Sequence, residues 1–283
     1  MFVIIGFVVV FACMLAGFMM VGGHPASLWH VNEVIVIFGC ILGSMIAGNP
    51  LSTFIASIKG GIGALKGPAI NKQGYIDLLK MLYEVFQFAK REGLIALEPH
   101  VENPEGSSIM SKYPSFINNH HAVDFLCDTL KLLLSGGVPA HDLDDLMDAD
   151  LETLHHSEHK PAAIIQTAAD AFPAVGIVAA VLGIIITMGA IDQGAATVGE
   201  KVGSALVGTF MGVLFSYCIV GPLANIMGTY AAMDGKYILV IKAAVLAYAK
   251  GSPANVAVEF GRRVIDPSTR PSFKETEDVC KNR

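Results

Sequence analysis

Apolar residues are concentrated in two regions of the chain, one at its beginning and one after residue 170. A helix needs roughly 20 apolar residues to cross the hydrocarbon core of a bilayer. Four runs reach or approach that length, at 2–21, 33–55, 172–191 and 202–226. The pattern therefore predicts four transmembrane helices.

The long segment between the second and third runs has a different pattern, in which apolar residues recur every three or four positions. This spacing predicts amphipathic helices, and the residues that carry it are Tyr75, Leu78, Leu79, Leu82, Phe86, Ala89, Val123, Leu126, Leu130 and Leu133. Clusters of glycine and proline predict breaks at 60–68, 98–108 and 135–142. A further amphipathic helix that ends at a glycine is expected at 236–251, and the last dozen residues are expected to be loose.

These elements predict an all-α integral membrane protein, with a large, mostly helical cytoplasmic loop between transmembrane helices 2 and 3 and a cytoplasmic C-terminal helix. The expected domains are 1–56 for transmembrane helices 1 and 2, 57–169 for the helical loop, 170–227 for transmembrane helices 3 and 4, and 228–283 for the C-terminal helix and tail. The composition agrees, because 53% of the residues are hydrophobic and the mean hydropathy is +0.56, above the values of ordinary soluble domains.

Basic residues predict the orientation, because Lys and Arg resist translocation. Of the 19 Lys and Arg residues, nine lie in 49–169 and nine in 228–283, whereas the connectors 22–33 and 190–199 have none. We therefore expect a multi-pass protein of the cell inner membrane whose termini and large loop are cytoplasmic. The net charge of −6 and the acidic stretch at 141–152 argue against a nucleic-acid partner, which would need a basic face.

Small residues form rows with a spacing of four in three of the apolar runs. The rows are Gly39, Gly43 and Ala47 in the second run, Gly176 and Ala180 in the third, and Gly208, Gly212 and Ser216 in the fourth. Membrane helices associate by close backbone approach through such residues. The rows predict tight helix packing.

Pro173 and Pro222 are expected near the cytoplasmic ends of the third and fourth spans. If the helices continue through them, each proline leaves a carbonyl without its usual donor, that of Ala169 and that of Cys218. Such carbonyls need protein or water beside them in a membrane, so the prolines could mark two hinges and a wet cavity. The alternative is that Pro173 begins a helix behind Asp170.

No acidic or basic residue is expected deep in any span, because those nearest the spans fall at the edges: Glu33, Asp170, Asp192, Glu200 and Lys201. Ion-driven proteins need an ionisable group in the membrane, so this chain alone is not expected to form an ion pathway. Thr209 and Tyr217 are eight residues apart, which predicts one shared face in the fourth span. Their hydroxyl groups are suited to water or a partner's carboxyl group, or bond their own backbone.

With these features the chain resembles the flagellar motor stator family MotA, which belongs to the MotA/TolQ/ExbB proton channel superfamily. The resemblance covers nearly the whole chain and depends on four spans, the large loop and a set of motifs taken together. The motifs are KREGLIALEPHVENPE at 90–105, DAFPAVGIVAAVLG at 170–183, LVGTFMGVLFSY at 206–217 and GPLA at 221–224.

The resemblance implies that copies of this chain form a ring, a pentamer in this family, around a dimer of a single-span partner, MotB. MotB would supply the ion-binding aspartate that is absent here. The resemblance also implies that Pro173 and Pro222, together with Asp170, couple protonation of that aspartate to movement of the cytoplasmic loop. Ala180, Thr209 and Tyr217 would line the ion path.

In this family, charged residues of the loop contact the rotor protein FliG. The motif KREGLIALE assigns that role to Lys90 and Glu98, with Arg91 beside them. Many relatives have Arg where Lys90 stands, so either Lys90 or the adjacent Arg91 supplies the cation. From the residues alone, a solvated helix end explains both cations equally well.

The resemblance also predicts the conducted ion. Sodium-driven relatives have threonine at the position of Ala180, and a methyl group offers no oxygen ligand to Na⁺. We expect protons to be the transported ion, with no cofactor.

Three other functions are considered. An energising subunit of the ExbB or TolQ type would have three spans, with the large loop after the first. If the protein were only a packing scaffold, its deletion would leave motility intact. A metal enzyme would use Glu152, His155 and His159, which share one helical face. No nucleophile, phosphate-binding or zinc motif is present in the sequence, so no enzymatic activity and no catalytic or metal residue is expected.

Overall fold

The computed structural model describes residues 2–68 and 70–281, and every regular element within them is helical. Its α-helices are α1 (Phe2–Met20), α2 (Val31–Gly48), α3 (Leu51–Ala64), α4 (Lys72–Glu92), α5 (Glu98–Glu102), α6 (Pro114–Ile117), α7 (His120–Ser135), α8 (Ala140–Met188), α9 (Ala195–Phe215), α10 (Gly221–Ala249), α11 (Ala254–Val264) and α12 (Phe273–Lys281). Four stretches are long and apolar enough to cross a membrane: Phe2–Met20, Pro25–Gly48, Ala140–Met188 and Ala195–Ala249. The predicted all-α fold with four spans is confirmed.

The chain divides into two compact units. The first, called here the membrane unit, contains the residues up to Gly67 and Glu158–Tyr230; the second, called the helical unit, contains Pro68–Ser157 and the residues from Ala231 onward. The core of the membrane unit is formed by Ile37, Ile41, Met45, Ala64, Ala162, Ile164, Ile165, Ala168, Phe172, Ala179, Val207, Met211, Ala224 and Met227. These residues come from α2, α3, α8, α9 and α10, and α1 contributes none.

The second predicted span, 33–55, is wrong at its C-terminal end, because the helix stops before Pro50. Asn49 has an extended backbone, with φ −137° and ψ 148°. A residue before proline is disfavoured in the helical region, since the proline ring contacts its backbone. The Asn49 side chain donates to the Met45 carbonyl at 2.8 Å, which satisfies one of the free carbonyls at the end of α2.

The predicted break at 60–68 begins too early. α3 continues through Gly60, Gly61 and Gly63 and ends at Ala64. A Cβ on Gly60 would lie 3.0 Å from the Met227 Cε, and one on Gly61 would lie 3.6 Å from a Leu223 methyl group. These glycines therefore allow α3 to pack closely against α10, and they do not end the helix.

In the helical unit, the apolar residues that recur at helical spacing in the sequence are buried. Every residue named for it lies in one core, with Leu133 partly buried at its edge. Tyr237, Ile238, Ile241 and Val245 of α10 belong to the same core. The predicted helix at 236–251 is thus part of a longer helix that begins at Gly221.

The predicted glycine stop of that helix is confirmed at Gly251. Gly251 has φ +89°, a left-handed conformation that glycine adopts without steric cost. Its N–H donates to the Tyr248 carbonyl at 2.9 Å, and the Ser252 N–H donates to the Ala247 carbonyl at 3.0 Å. This pair of bonds is the Schellman motif, which satisfies the last carbonyls of α10.

The predicted loose tail is wrong for the described residues, because α12 extends to Lys281. Ser272 and Glu275 form a capping box at its start: the Glu275 N–H donates to Ser272 Oγ at 3.2 Å, and the Ser272 N–H donates to Glu275 Oε2 at 2.7 Å. Lys72 of α4 donates to the same carboxylate at 2.7 Å. The Lys72 bond, followed by the two Ser272 bonds, lowers the pKa of Glu275 to about 2.

We expect Glu275→Gln to loosen α12 from α4, because the variant removes the ion pair with Lys72 and weakens the capping box. Hydrogen exchange at the α12 amides should become faster, while α4 and α7 keep their protection. In the unmodified protein, the stabilisation of the folded state by the Glu275 carboxylate is complete above its ordinary pKa of 4.5. This stabilisation is lost as the pH falls through the folded-state pKa of about 2. Asp278→Asn is the matched control on the same helix, and equal exchange rates in the two variants would contradict the prediction.

Candidate functional site

Glycines bring the backbones of α8 and α9 into direct contact in the membrane unit. A Cβ on Gly176 would lie 2.8 Å from the Gly208 carbonyl oxygen and 3.0 Å from the Gly212 Cα. A Cβ on Gly212 would lie 2.6 Å from the Phe172 carbonyl oxygen. Only glycine fits at these two positions, as the small-residue rows of the third and fourth runs predicted.

The row in α2 is different, although its spacing is the same. Gly39, Gly43 and Ala47 are exposed, and a Cβ on either glycine would meet no atom within 4 Å. The predicted tight packing of this row is therefore absent within the described chain. The other face of α2, with Ile37, Ile41 and Met45, enters the core instead.

Pro173 lies inside α8 and does not begin a helix, so the alternative interpretation of Pro173 is wrong. The helix continues for 15 residues beyond Pro173, and it also contains Pro161, which the sequence analysis did not consider. Since proline has no N–H, the Ala169 carbonyl lacks its usual helical donor. Ala169 is buried, so this weak point in the helix is enclosed by protein.

Three aromatic rings pack together at Phe172, the residue before Pro173, and the sequence pattern does not predict this cluster. The Phe38 ring packs edge-on against Phe172 and Phe215, with centroid distances of 5.5 Å and 4.9 Å. The Phe172 and Phe215 rings are 6.0 Å apart. This cluster joins α2, α8 and α9 at the residue before Pro173 and at the last residue of α9.

Immediately after Phe215 the helix widens into a π-turn, Ser216–Val220, which ends at Gly221 and Pro222. The Gly221 N–H donates to the Ser216 carbonyl across five residues. Pro222 cannot donate, and its ring would contact the Cys218 carbonyl in a regular α-helix. A Cβ on Gly221 would lie 2.8 Å from the Ser216 carbonyl oxygen, so this local geometry requires glycine at position 221.

The residues predicted to line an ion path lie in different surroundings. Ala180 is buried against α9, Thr209 is half-buried, and Tyr217 is 71% exposed. Tyr217 lies within the π-turn, so the eight-residue spacing from Thr209 is not a regular α-helical spacing. Asp170 is exposed on α8 and accepts a hydrogen bond of 2.8 Å from Gln166.

Glu33 lies at the N-terminal edge of α2, as expected from the sequence, but its side chain is buried. Glu33 is in the first turn of α2, but its side chain is only 3% exposed and its Oε2 atom has no hydrogen-bond partner among the described residues. One turn earlier, His30 Nδ1 lies 3.1 Å from Ser204 Oγ of α9, and His30 Nε2 lies 3.1 Å from the Ser27 carbonyl oxygen. Sequence reasoning missed this cluster because Glu33 begins an apolar run.

In the helical unit, the predicted rotor residues are all on the surface. Lys90 and Arg91 are exposed in the last turn of α4, and Glu98 is exposed at the start of α5. Gly93, with φ +92°, ends α4, and the buried Leu97 holds the turn that leads to Glu98. Within the described residues, none of the three charged side chains forms a hydrogen bond or an ion pair.

One apolar side chain accompanies these charges. Ile95 lies between Arg91 and Glu98 in sequence and is 75% exposed. Ile95 belongs to a short 3₁₀ turn, so no helical periodicity marks it in the sequence. In the described part of the chain, no three His, Cys, Asp or Glu side chains are grouped so that they could hold a metal ion.

The chain is similar to known proteins over almost its whole length. Residues 4–93 match the family described as Motility protein A N-terminal, and residues 118–233 match the MotA/TolQ/ExbB proton channel family. The sequence is 34% identical to Motility protein A of Escherichia coli (strain K12) over 278 residues, which covers 98% of this chain and 94% of the relative. The chain belongs to the motility protein A family.

Another relative is Chemotaxis protein LafT of Vibrio parahaemolyticus, which is 33% identical, with 96% of each chain covered. A chain of the solved C. jejuni MotAB structure matches with a TM-score of 0.77 at 20% identity, over 95% of this chain and 98% of that chain. That similarity concerns the fold. Together with the sequence relatives, it confirms the resemblance to the MotA family inferred from the motifs.

Proposed function

We propose that this chain is a stator subunit of the bacterial flagellar motor, in which a MotB-type partner and a ring of these chains conduct protons and drive the rotor. The observation that carries the proposal is full-length similarity to proteins named Motility protein A. The alternative, a subunit of the ExbB or TolQ type, would have three spans. The four apolar helices and the match of residues 4–93 to a motility-specific family favour the stator.

The partner in this proposal is a single-span protein that brings an aspartate into the membrane, and the assembly is a pentamer around a dimer of that partner. The solved relatives are MotAB complexes. Two surfaces of this chain support an assembly: α1 buries none of its residues within the chain, and the glycine row of α2 is exposed. Close approach of another membrane helix needs surfaces of this kind.

The conducted ion in this proposal is the proton, and no cofactor or enzymatic step is involved. Ala180 offers a methyl group and no oxygen to the ion path, while Thr209 and Tyr217 offer hydroxyl groups. Pro173 and Pro222, with Asp170 nearby on α8, change the shape of α8 and α10 when the partner's aspartate is protonated. The missing hydrogen bonds at both prolines support this role, because such positions bend at low cost.

The proposal places the protein in the cell inner membrane, with the termini and the helical unit in the cytoplasm. Lys90, Arg91 and Glu98 then contact FliG on the rotor. Their exposure and lack of partners support a transient electrostatic contact, since exposed ion pairs contribute at most about 1 kcal/mol each. Such contacts set encounter rate and orientation more than affinity.

Deletion of the gene should leave flagellar filaments in place but abolish swimming, and the unmodified gene should restore it. We expect Glu98→Lys to lower swimming speed partially, and Lys90→Glu combined with Arg91→Glu to lower it further, because more contacts are reversed. Speed of free-swimming cells, with immunoblots of membrane fractions, checks both results.

Glu102→Lys is the matched control, since Glu102 is exposed at the other end of α5. It should swim like the unmodified strain. Normal swimming of the deletion strain would refute the proposed function, and equal loss in Glu98→Lys and Glu102→Lys would refute the assignment of Glu98.

A further inference from the structure

A carboxyl group lies enclosed in the membrane unit where the proposed function does not use one. The side chain of Glu33 on α2 reaches between α8 and α9, and 97% of its surface is covered by the chain itself, since 3% is exposed. A Cβ on Gly208 would lie 2.7 Å from Glu33 Oε2, and one on Gly183 would lie 3.7 Å from Oε1. Two glycines on different helices therefore leave the space that this carboxyl group occupies.

No described residue forms an ion pair with this carboxyl group, and His30 is the one titratable side chain that acts on it electrostatically. α8 presents Gly183 and α9 presents Ala205 and Gly208, none of which has a polar side chain. On its own helix the nearest titratable residue is His30, one turn earlier on the same face. The other charged residues at this end of the membrane unit are Asp192, Glu200 and Lys201, and none of them makes a hydrogen bond or an ion pair with Glu33.

The residues around Glu33 favour a proton over a metal cation as the ligand. A metal cation needs several oxygen ligands, and the glycines and the alanine around Glu33 supply no side-chain oxygen. A bare carboxylate is expensive to hold in such a site. One proton neutralises the charge without any further ligand, and the carboxyl group has a buried oxygen, Oε2, without a hydrogen-bond partner among the described residues.

His30 lies between the exposed connector and the buried acid, three residues before Glu33. It is half-buried at the start of α2, and its two ring nitrogens lie within 3.1 Å of Ser204 Oγ and of the Ser27 carbonyl oxygen. Ser27 is exposed in the connector between α1 and α2. Imidazole is the side chain that proteins commonly use to shuttle protons.

We propose that Glu33 is a proton-binding site of this chain, additional to the acid of the partner, and that it is loaded through His30 from the connector end. In the loading step, an N–H bond of the His30 imidazolium breaks and an O–H bond forms on the Glu33 carboxylate once the imidazole has turned from Ser204 or Ser27 towards it, leaving a neutral imidazole and a neutral acid. Release reverses the step. The proposal rests on the proposed function in one respect, namely that the conducted ion is a proton.

Infrared difference spectroscopy of the purified complex tests proton binding directly. At neutral pH the unmodified protein should show the C=O stretching band of a protonated carboxyl group, shifted in D₂O, and Glu33→Gln should lack that band. Glu200→Gln is the matched control at the same end of the unit, because Glu200 is exposed to solvent and its replacement should leave the band unchanged. A band of equal size in unmodified protein and Glu33→Gln would overturn the proposal.

Rotation of tethered beads tests loading. With Glu33→Gln we expect a lower speed at low load and a weaker dependence on external pH, while the stall torque per stator stays the same. A merely structural role would instead lower the number of incorporated stators and leave the pH dependence unchanged, and that result would overturn the proposal. Failure of the proposed function would appear separately, as swimming that does not depend on this gene, and the infrared result would still decide whether Glu33 binds a proton.

Discussion

Gly212→Ala is expected to destabilise the membrane unit by about 1–3 kcal/mol, towards the upper end of that range. The added Cβ would lie 2.6 Å from the Phe172 carbonyl oxygen and 3.0 Å from the Gly176 Cα. Both are backbone atoms, so no side chain can rotate away, and α8 and α9 must separate along their contact. In a bilayer no hydrophobic gain compensates for that separation, because lipid is as apolar as the helices.

The midpoint of thermal or detergent-induced unfolding of the purified protein measures this effect. Gly203→Ala is the matched control, since Gly203 lies on the same helix and a Cβ there meets nothing within 4 Å. Its midpoint should equal or slightly exceed that of the unmodified protein, because alanine is the better helix former by about 1 kcal/mol. A midpoint of Gly212→Ala within error of Gly203→Ala would show that the helix contact is looser than the structure indicates.

Pro222→Ala is expected to abolish swimming while leaving the protein folded in the membrane. Alanine restores an N–H at position 222 and removes the ring that would contact the Cys218 carbonyl in a regular α-helix, so the π-turn Ser216–Val220 can close into that regular form. Proline in a helix interior costs about 3 kcal/mol, so the variant should unfold at an equal or higher temperature. Loss of function with gained stability is the result expected of a hinge.

Swimming speed, membrane immunoblots and unfolding midpoints together check this prediction. The matched control is Pro161→Ala, because Pro161 is also inside a helix but lies before the apolar part of α8. That variant should gain stability and keep swimming. Swimming at normal speed with Pro222→Ala would eliminate the hinge, and a large drop in its unfolding midpoint would show that Pro222 has a purely structural role.

Much of the fold could be predicted because periodicity reports burial directly. Tyr75, Leu78 and Leu82 recur at helical spacing, and all three are buried in the core of the helical unit. The end of the second span could not be located in the same way, because Leu51, Phe54 and Ile55 continue the apolar run beyond Pro50. Hydropathy averaged over a window does not detect a break of two residues such as Asn49 and Pro50. The backbone restriction on the residue before proline does predict such a break.

The α12 helix shows a different limit. Its sequence, FKETEDVCK, is polar and short, so it has no strong apolar stripe. The local signal was nevertheless present, because Ser272 and Glu275 have the spacing of a capping box. A helix of this kind is stabilised by its cap and by the ion pair with Lys72, and both are visible only when residues are compared pairwise.

For the candidate site, identical spacing led to different outcomes. Gly39 and Gly43 are spaced like Gly208 and Gly212, yet only the second pair contacts another helix of the chain. Spacing places residues on one face of a helix, but it does not say which face meets a neighbour. The environment of Glu33 could not be predicted for the same reason, since the space around its carboxyl group is made by Gly183 and Gly208, 150 and 175 positions later in the sequence.

The first helix, α1, depends on surroundings outside the chain. None of the residues of α1 is buried against the rest of the described chain. Its side chains are therefore selected for solubility in lipid, and any stricter selection must come from other molecules. Among orthologues, most positions of α1 should vary between aliphatic and aromatic residues. The positions that are conserved should lie on one face of the helix and mark where a neighbouring polypeptide contacts it.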